Sequence, residues 1–141
     1  MTKILMTYAI FAVVWYVFQA VGCMFLFKKT NTSKVTAFIP LLREKALFDS
    51  SVKNDKLGLA WLGLAVAGLV CFFAGCFTEI QIVAWIGVVA IFAAVVLSIY
   101  RNFKEAKSFG RDIGTGLVLT LVAPLGNIIL GKGDAEYRGK M

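Results

Sequence analysis

Four long apolar stretches constrain the fold of this 141-residue chain more than any other feature. They cover roughly residues 4–27, 57–77, 82–100 and 113–130. The hydrocarbon core of a bilayer is about 30 Å thick, and an α-helix needs about 20 mostly apolar residues to cross it. Hydrophobic residues make up 60% of the chain and charged residues only 16%, which is too apolar for an ordinary soluble domain. We therefore predict a single all-α integral membrane domain over residues 1–141, with four transmembrane helices.

The fourth stretch is the weakest because it contains Pro124 and Asn127. Proline removes a backbone N–H and kinks a helix, although membrane helices tolerate it where neighbouring groups compensate. The alternative is a re-entrant hairpin that turns at Pro124-Leu125-Gly126-Asn127. A spanning helix is the favoured prediction, and the hairpin stays open.

Lysine and arginine are distributed unevenly between the segments that join the spans. Residues 28–56 carry seven and residues 101–111 carry four, whereas one precedes the first span and three lie in the tail. Cytoplasmic loops are enriched in basic residues, so we predict cytoplasmic loops at 28–56 and 101–112. Four spans then predict a multi-pass membrane protein with both termini outside the cytoplasm. A re-entrant fourth segment would change the split from eleven against four to fourteen against one.

The net charge of +7 comes mostly from the basic residues of these two predicted cytoplasmic loops. Basic residues at a membrane attract anionic lipid headgroups, so membrane lipids are expected partners. Nucleic-acid binding needs aromatic platforms on a basic surface in water, and the aromatic residues here lie mainly in the apolar stretches. No nucleic-acid partner is expected. The residues predicted to contact a partner or lipid are Lys45, Asp49, Lys53, Arg101, Lys104, Lys107 and Arg111.

The first basic loop contains a predicted amphipathic helix that begins near Pro40, a residue favoured in the first helical turn. A helical wheel places apolar residues on one arc, namely Phe38, Leu41, Leu42, Ala46, Phe48 and Val52. Opposite them lie Arg43, Glu44, Ser50 and Ser51. This pattern is typical of a helix in the membrane interface. Lys45 and Asp49 interrupt the apolar arc, either as an i,i+4 ion pair or as a polar contact with the bundle.

Small residues recur along the predicted spans and place small faces on the helices. In the second span the face comprises Gly63, Ala67, Cys71 and Gly75. Similar pairs are Ala90 with Ala94 in the third span and Gly110 with Gly114 where the fourth segment opens. Small faces allow close backbone approach, which favours helix association in a bilayer. They predict packing within one chain or between chains, and four helices alone leave such faces spare.

The residue inventory excludes much chemistry. The chain has no histidine, so a His-ligated metal, an imidazole base and Ser-His or Cys-His pairs are excluded. No enzyme activity, metal or cofactor is predicted. The polar residues within the predicted spans are Gln19 and Asn127. We expect them to hydrogen-bond between helices or to line a polar path.

Three short motifs flank the apolar segments. They are Lys34-Val35-Thr36-Ala37-Phe38-Ile39-Pro40, Glu105-Ala106-Lys107-Ser108-Phe109-Gly110 and Leu130-Gly131-Lys132-Gly133-Asp134-Ala135-Glu136-Tyr137-Arg138-Gly139. Together they resemble an uncharacterised family of small bacterial multi-pass membrane proteins, some joined to a signal-peptidase-like domain. The resemblance implies a multi-pass membrane fold and no particular activity. From their chemistry we expect Phe109 to anchor at one interface and Tyr137 at the far one.

The sequence favours a non-enzymatic membrane protein, acting as a homo-oligomer or as an accessory subunit of a larger cell-envelope complex. This prediction follows from the small faces and from the absence of catalytic groups. The alternative is a small channel or transporter for an ion, lipid or small molecule. It would use the Pro/Gly-interrupted fourth segment, because discontinuous helices mark binding sites in transporters.

Overall fold

The computed structural model describes residues 1–141 and contains six α-helices and no strand. The helices are α1 (Thr2–Lys29), α2 (Pro40–Ser51), α3 (Asp55–Phe77), α4 (Gln81–Ser108), α5 (Ile113–Leu121) and α6 (Ala123–Lys132). A 3₁₀ turn, Lys34–Phe38, precedes α2. The prediction of an all-α fold is therefore confirmed.

Three of the helices, α1, α3 and α4, are long and apolar enough to cross a membrane. They have 28, 23 and 28 residues, so at about 1.5 Å per residue each exceeds the ~30 Å of a bilayer core. They contain the first three predicted spans. The helix α4 runs past Tyr100 to Ser108, so most of the predicted loop 101–112 is helical. It ends where Gly110 adopts a φ of +66°, the left-handed conformation that commonly closes helices.

The fourth apolar segment does not form the predicted spanning helix over residues 113–130. It forms two short helices, α5 with nine residues and α6 with ten, and each is about half as long as a bilayer core is thick. The break lies at Val122, because Pro124 occupies the first turn of α6. Proline fits the first turn of a helix but not its interior, so it starts a new helix instead of continuing α5.

The helices α5 and α6 pack side by side as a hairpin. A Cβ on Gly126 would lie 2.6 Å from a side-chain carbon of Leu119, so the hairpin closes tightly because glycine is there. The Asp112 carboxylate caps the start of α5 by accepting from the Thr115 N–H at 3.2 Å. The segment thus returns to the end of the molecule from which it started, as in the re-entrant alternative.

The tail after α6 lies against the ends of the other helices. Lys29, the last residue of α1, donates hydrogen bonds to the carbonyls of Leu130, Gly133 and Ala135 at 2.6–2.7 Å. The Arg138 N–H bonds to the Ser108 carbonyl at 2.7 Å. We call this end of the molecule the basic end, which comprises Lys28–Asn31, Ser50–Lys56, Lys104–Asp112 and Lys132–Met141.

This arrangement places the two chain termini at opposite ends of the molecule, whereas four spans predict both on the same side. Thr2 and Lys29 are opposite ends of one 28-residue helix, and the tail lies at the Lys29 end. Of the fifteen basic residues, only Lys3 lies at the Thr2 end of α1, and the turn between α3 and α4 carries none.

The helix α2 does not bury one predicted arc and expose the other. Phe48 and Val52 from the predicted apolar arc are buried, and so are Arg43, Ser50 and Ser51 from the predicted polar arc. By contrast, Phe38 and Leu42 from the predicted apolar arc are 49% and 45% exposed. The cause is the surface that α2 meets, because the end of α4 beside it carries buried polar side chains. Lipid accepts apolar surface but not unpaired polar groups, so these polar residues pack inward.

The helices α3 and α4 form a closely packed antiparallel hairpin. A Cβ on Gly75 would lie 2.2 Å from the Ala84 backbone nitrogen, and one on Gly87 would lie 2.4 Å from the Phe72 nitrogen. Nearer the basic end, the Trp61 indole donates to the Ser98 hydroxyl at 2.8 Å. Ala94 is buried, and Ala90 lies opposite Gly68 in the same contact.

This contact uses a different face of α3 from the predicted small face. The buried positions Trp61, Gly68 and Gly75 are spaced by seven, a step that drifts only about 20° around a helix. Steps of four drift about 40° each, so Gly63 and Ala67 turn away from α4. Both are exposed, and a Cβ on Gly63 would meet nothing within 4 Å.

The packed core lies near the basic end, where α1, α2, α4 and the α5–α6 hairpin meet. Its buried residues include Cys23, Leu26, Phe27, Leu47, Leu119 and Leu130. The first half of α1 stands apart from this core, since every residue from Met1 to Phe18 is exposed. Burial on α1 begins at Gln19.

Candidate functional site, a buried polar cluster

Four charged side chains from α2 and α4 meet inside the protein. They are Arg43, Glu44, Arg101 and Glu105, which we call the charged cluster. Residues four apart share one face of a helix, so α4 presents Arg101 and Glu105 together. Arg101 is 4% exposed and Glu105 is fully buried. The other two come from α2.

Glu44 lies between the two guanidinium groups of the charged cluster. Arg101 Nη1 donates to Glu44 Oε2 at 2.6 Å, and Arg43 Nε lies 3.8 Å from Glu44 Oε1. Arg101 Nε lies 3.9 Å from Glu105 Oε2. Buried charges require opposite charges nearby because desolvation costs several kcal/mol per ion. The cluster therefore ties α2 to α4 at the level where the apolar part of α4 ends.

Aromatic rings cover both arginine side chains of the cluster. The Arg43 guanidinium lies 5.7 Å from the Tyr16 ring centroid, and that of Arg101 lies 5.6 Å from the Phe48 centroid. Tyr16 also donates its hydroxyl hydrogen to the Phe38 carbonyl. These contacts hold the 3₁₀ turn and α2 against the middle of α1.

Three amide side chains, on α1, α4 and α6, are buried as well. Asn102 accepts a hydrogen bond from Arg101 and donates to the Thr120 hydroxyl at 3.4 Å. The predicted intramembrane residues Gln19 and Asn127 are only 5% and 1% exposed. Gln19 Oε1 and Asn127 Oδ1 have no hydrogen-bond partner within the protein. Buried polar atoms are normally paired, so these two oxygens mark a place where the protein alone leaves hydrogen-bonding capacity unused.

An open groove of about 680 Å³ reaches the charged cluster from the side. Gln19, Arg43 and Glu44 line its polar end. Phe11, Ala12, Trp15, Tyr16 and Ala123 line the rest. We call it the α1 groove. Ala123 is the first residue of α6, so the tip of the α5–α6 hairpin forms part of the wall.

A second groove, of about 460 Å³, lies at the basic end. Three predicted contact residues, Lys104, Lys107 and Arg111, line it together with Tyr100, Phe103, Asp112 and Ile113. The Lys104 ammonium lies 5.5 Å from the Tyr100 ring centroid. Basic groups beside apolar and aromatic surface suit a lipid headgroup region.

The remaining predicted contact residues lie elsewhere. Arg101 is turned inward into the charged cluster, which corrects its placement on the outer surface. Lys45 donates to Asp49 at 2.6 Å across one helical turn, the arrangement of an i,i+4 ion pair. Lys53 is exposed in the short link between α2 and α3. The predicted contact residues thus lie in one groove, one ion pair, one exposed link and one buried guanidinium.

The Ser-Phe-Gly and C-terminal motifs meet at the basic end. The Tyr137 and Phe109 ring centroids lie 5.5 Å apart, and the Tyr137 hydroxyl donates to the Ser50 carbonyl at 2.5 Å. Burial raises the pKa of the Tyr137 phenol, which keeps the hydroxyl protonated as a donor. This corrects the prediction that Phe109 and Tyr137 anchor at opposite interfaces.

The two glycines predicted to pack helices where the fourth segment opens make no helix contact. Gly110 closes α4, and a Cβ there would lie 2.6 Å from the Arg138 guanidinium carbon. Gly114 is exposed beside the Asp112 carboxylate. The close helix approach in this region uses Gly116 instead, where a Cβ would lie 2.5 Å from the Phe103 ring.

Sequence reasoning missed Arg43, Glu44, Asn102 and Glu105 as interior residues. Two signals pointed to them. No glycine or proline interrupts the chain between Tyr100 and Gly110, so α4 had no reason to end at Tyr100. Arg101 and Glu105 are also an i,i+4 pair of opposite charge on that continuation.

The site has the chemistry of binding and of helix docking. No group of three His, Cys, Asp or Glu side chains in the structure is placed to hold a metal ion. The chain matches no family model, and comparisons with curated proteins and with solved structures also find no match.

Proposed function

We propose that this chain is a non-enzymatic membrane protein that assembles as a homo-oligomer through the outer face of α3. One observation carries the proposal, namely that Gly63 and Ala67 lie on the side of α3 that faces away from α4. The exposed small residues of this outer face are Ala60, Gly63, Ala67 and Ala74.

No close contact within the chain requires a glycine at position 63 of this face. Glycine destabilises a helix interior by about 1 kcal/mol relative to alanine. In a bilayer, helix association depends on close packing rather than on hydrophobic burial, and small residues spaced by four allow it. A second copy supplies the same small face, which makes the contact self-complementary.

The distribution of basic residues supports a membrane orientation for this assembly. Lys3 is the only basic residue at the Thr2 end of α1. Under the positive-inside rule, the basic end lies in the cytoplasm of a bacterial cell and Thr2 lies outside. The outer face of α3 then lies at membrane depth, where a partner helix can reach it.

Gly63→Leu and Ala67→Leu test the assembly. Each adds bulk on the outer face, so we expect the detergent-solubilised mass to fall to that of the monomer while helix content stays unchanged. Val95→Leu is the matched control, because Val95 is 49% exposed on α4 and lies outside the outer face of α3. It should leave the mass unchanged.

Gly75→Leu separates assembly from folding. The leucine side chain would clash with the Ala84 backbone inside the α3–α4 hairpin. Gly75→Leu should therefore lower the melting temperature, which Gly63→Leu and Ala67→Leu should leave unchanged. Unchanged mass in both Gly63→Leu and Ala67→Leu, or a monomeric wild-type protein, would contradict the proposal. Loss of a different co-purifying membrane protein in these variants would instead establish the role of an accessory subunit.

The second candidate function is transport. The α5–α6 break favours it, because half-helices that end inside a membrane form binding sites in transporters, and Asn127 Oδ1 lies buried and unpaired within α6. Movement of a fluorescent lipid across vesicles containing the protein, abolished in Asn127→Leu, would support transport. Equal movement in empty vesicles would contradict it.

A further inference from the structure

The α1 groove has a polar end and an apolar end in a defined order along the membrane direction. Phe11 and Trp15 lie toward the middle of α1, whereas Gln19 lies nearer the basic end. Phe11 and Gln19 are eight residues apart on α1, which is about 12 Å of helix rise. A lipid in the leaflet at the basic end has the same order, with its headgroup toward that end and its chains toward the midplane.

Two buried groups at the polar end have hydrogen-bonding capacity that the protein does not use. Gln19 is 5% exposed and Arg43 is 8% exposed, and neither Gln19 Oε1 nor Arg43 Nε has a partner. Glu44 makes its short contact with Arg101, at 2.6 Å, and lies 3.8 Å from Arg43. Arg101 Nε is also unpaired, but Arg43 lines the groove and Arg101 does not. Arg43 is therefore the guanidinium that an anion in the groove can reach, and Gln19 Oε1 can accept a hydrogen bond from a donor there.

The start of α6 adds to the anion-binding character of the groove. Ala123, the first residue of this ten-residue helix, lines the groove. Helix N-termini carry partial positive charge and free N–H groups, which favour phosphate and carboxylate. A phosphate between Arg43 and the start of α6 would contact both.

The polar end lies within reach of lipid headgroups. Arg101, which binds Glu44, precedes the end of α4 at Ser108 by seven residues, or about 10 Å of helix rise. Arginine below the headgroup layer draws headgroups and water inward by thinning the bilayer locally. A phosphate can therefore enter the groove sideways from the leaflet.

We propose that the α1 groove binds one phospholipid whose headgroup carries hydrogen-bond donors. Its phosphate binds Arg43, its donor group binds Gln19 Oε1 and Glu44, and its chains lie along Phe11 and Trp15. The charged cluster contains two arginines and two glutamates, so the site does not need a lipid with net negative charge. It needs donors, which selects phosphatidylethanolamine over phosphatidylcholine.

A lipid titration tests this selection. Phosphatidylethanolamine and phosphatidylcholine with identical acyl chains are added to the purified full chain in detergent, and bound lipid is counted by native mass spectrometry. We expect one phosphatidylethanolamine to bind about tenfold more tightly than phosphatidylcholine, the ratio that about one extra net hydrogen bond provides. Equal affinity for the two lipids would overturn the proposal.

Three groove variants assign the contacts. Gln19→Leu should remove the preference between the lipids, whereas Arg43→Gln should weaken both by about tenfold. Trp15→Ala, in the exposed half of α1, should weaken both without disturbing the core. Lys107→Gln is the control, because it removes a charge from the second groove and lies outside the first. Equal weakening by Lys107→Gln would show general attraction to the basic end and overturn the assignment.

Glycerophosphoethanolamine distinguishes a lipid from a soluble phosphodiester. The chains are part of the proposed contact, so this headgroup alone should not displace the lipid at matched concentration. Full displacement would show that the groove takes a soluble phosphodiester and would overturn the lipid proposal. The α3 outer face and the α1 groove share no residue, so either proposal can fail without the other.

Discussion

The basic end of this protein and its apolar arms, which are the first half of α1 and the outer sides of α3 and α4, have opposite distributions of polarity. Near the basic end, Arg101, Glu105 and Ser108 are buried. In the apolar arms, large apolar side chains such as Phe11, Val70 and Phe92 are exposed. Lipid accepts apolar side chains at no cost, whereas polar groups at that depth need protein partners. The buried polar contacts of this fold are therefore concentrated near the basic end, whereas the far part of the α3–α4 hairpin is held by close apolar packing.

The charged cluster should give the largest loss of stability if this comparison holds. Arg101→Met leaves Glu44 and Glu105 without their nearest cation, and breaking a buried ion pair in this way costs about 3–5 kcal/mol. Thermal unfolding in detergent, followed by circular dichroism, measures the change. The control Lys107→Met removes an exposed charge and should change stability by less than about 0.5 kcal/mol. Equal effects of the two variants would break the comparison.

The tail should give a smaller, local effect. Tyr137→Phe removes the hydrogen bond to the Ser50 carbonyl and should cost about 1 kcal/mol. The same variant should speed hydrogen exchange and tryptic cleavage after Arg138, because the tail is held there. Tyr100→Phe, at a ring that is 45% exposed in α4, is the matched control. Unchanged exchange in Tyr137→Phe would show that the tail is held by other contacts.

The parts of the fold that depend on local sequence were predictable. Length and hydropathy identified the three long helices, and Pro40 marked the start of α2. These features follow from the chain's own composition and from the missing N–H of proline. They do not depend on which other segment each helix meets.

The parts that depend on a partner surface were not predictable from one segment at a time. A helical wheel placed Arg43 and Ser51 on the outside of α2, but α4 presents Arg101, Glu105 and Ser108 to them. The spacing by four predicted that Gly63 and Gly75 lie on one contact face. The contact with α4 instead follows a spacing of seven, which includes Gly75 and leaves Gly63 exposed. The candidate site combines α1, α2, α4 and the hairpin, so no single stretch contained it.

The central claim is that the fourth apolar segment is a hairpin and leaves the tail at the basic end. Single cysteines at Thr2, Lys53 and Glu136, in a background without Cys23, Cys71 and Cys76, test it by labelling oriented membrane vesicles with an impermeant maleimide. The account predicts that Lys53→Cys and Glu136→Cys react from the same side and Thr2→Cys from the other. Reaction of Glu136→Cys from the side of Thr2→Cys would establish a spanning fourth helix and contradict the account.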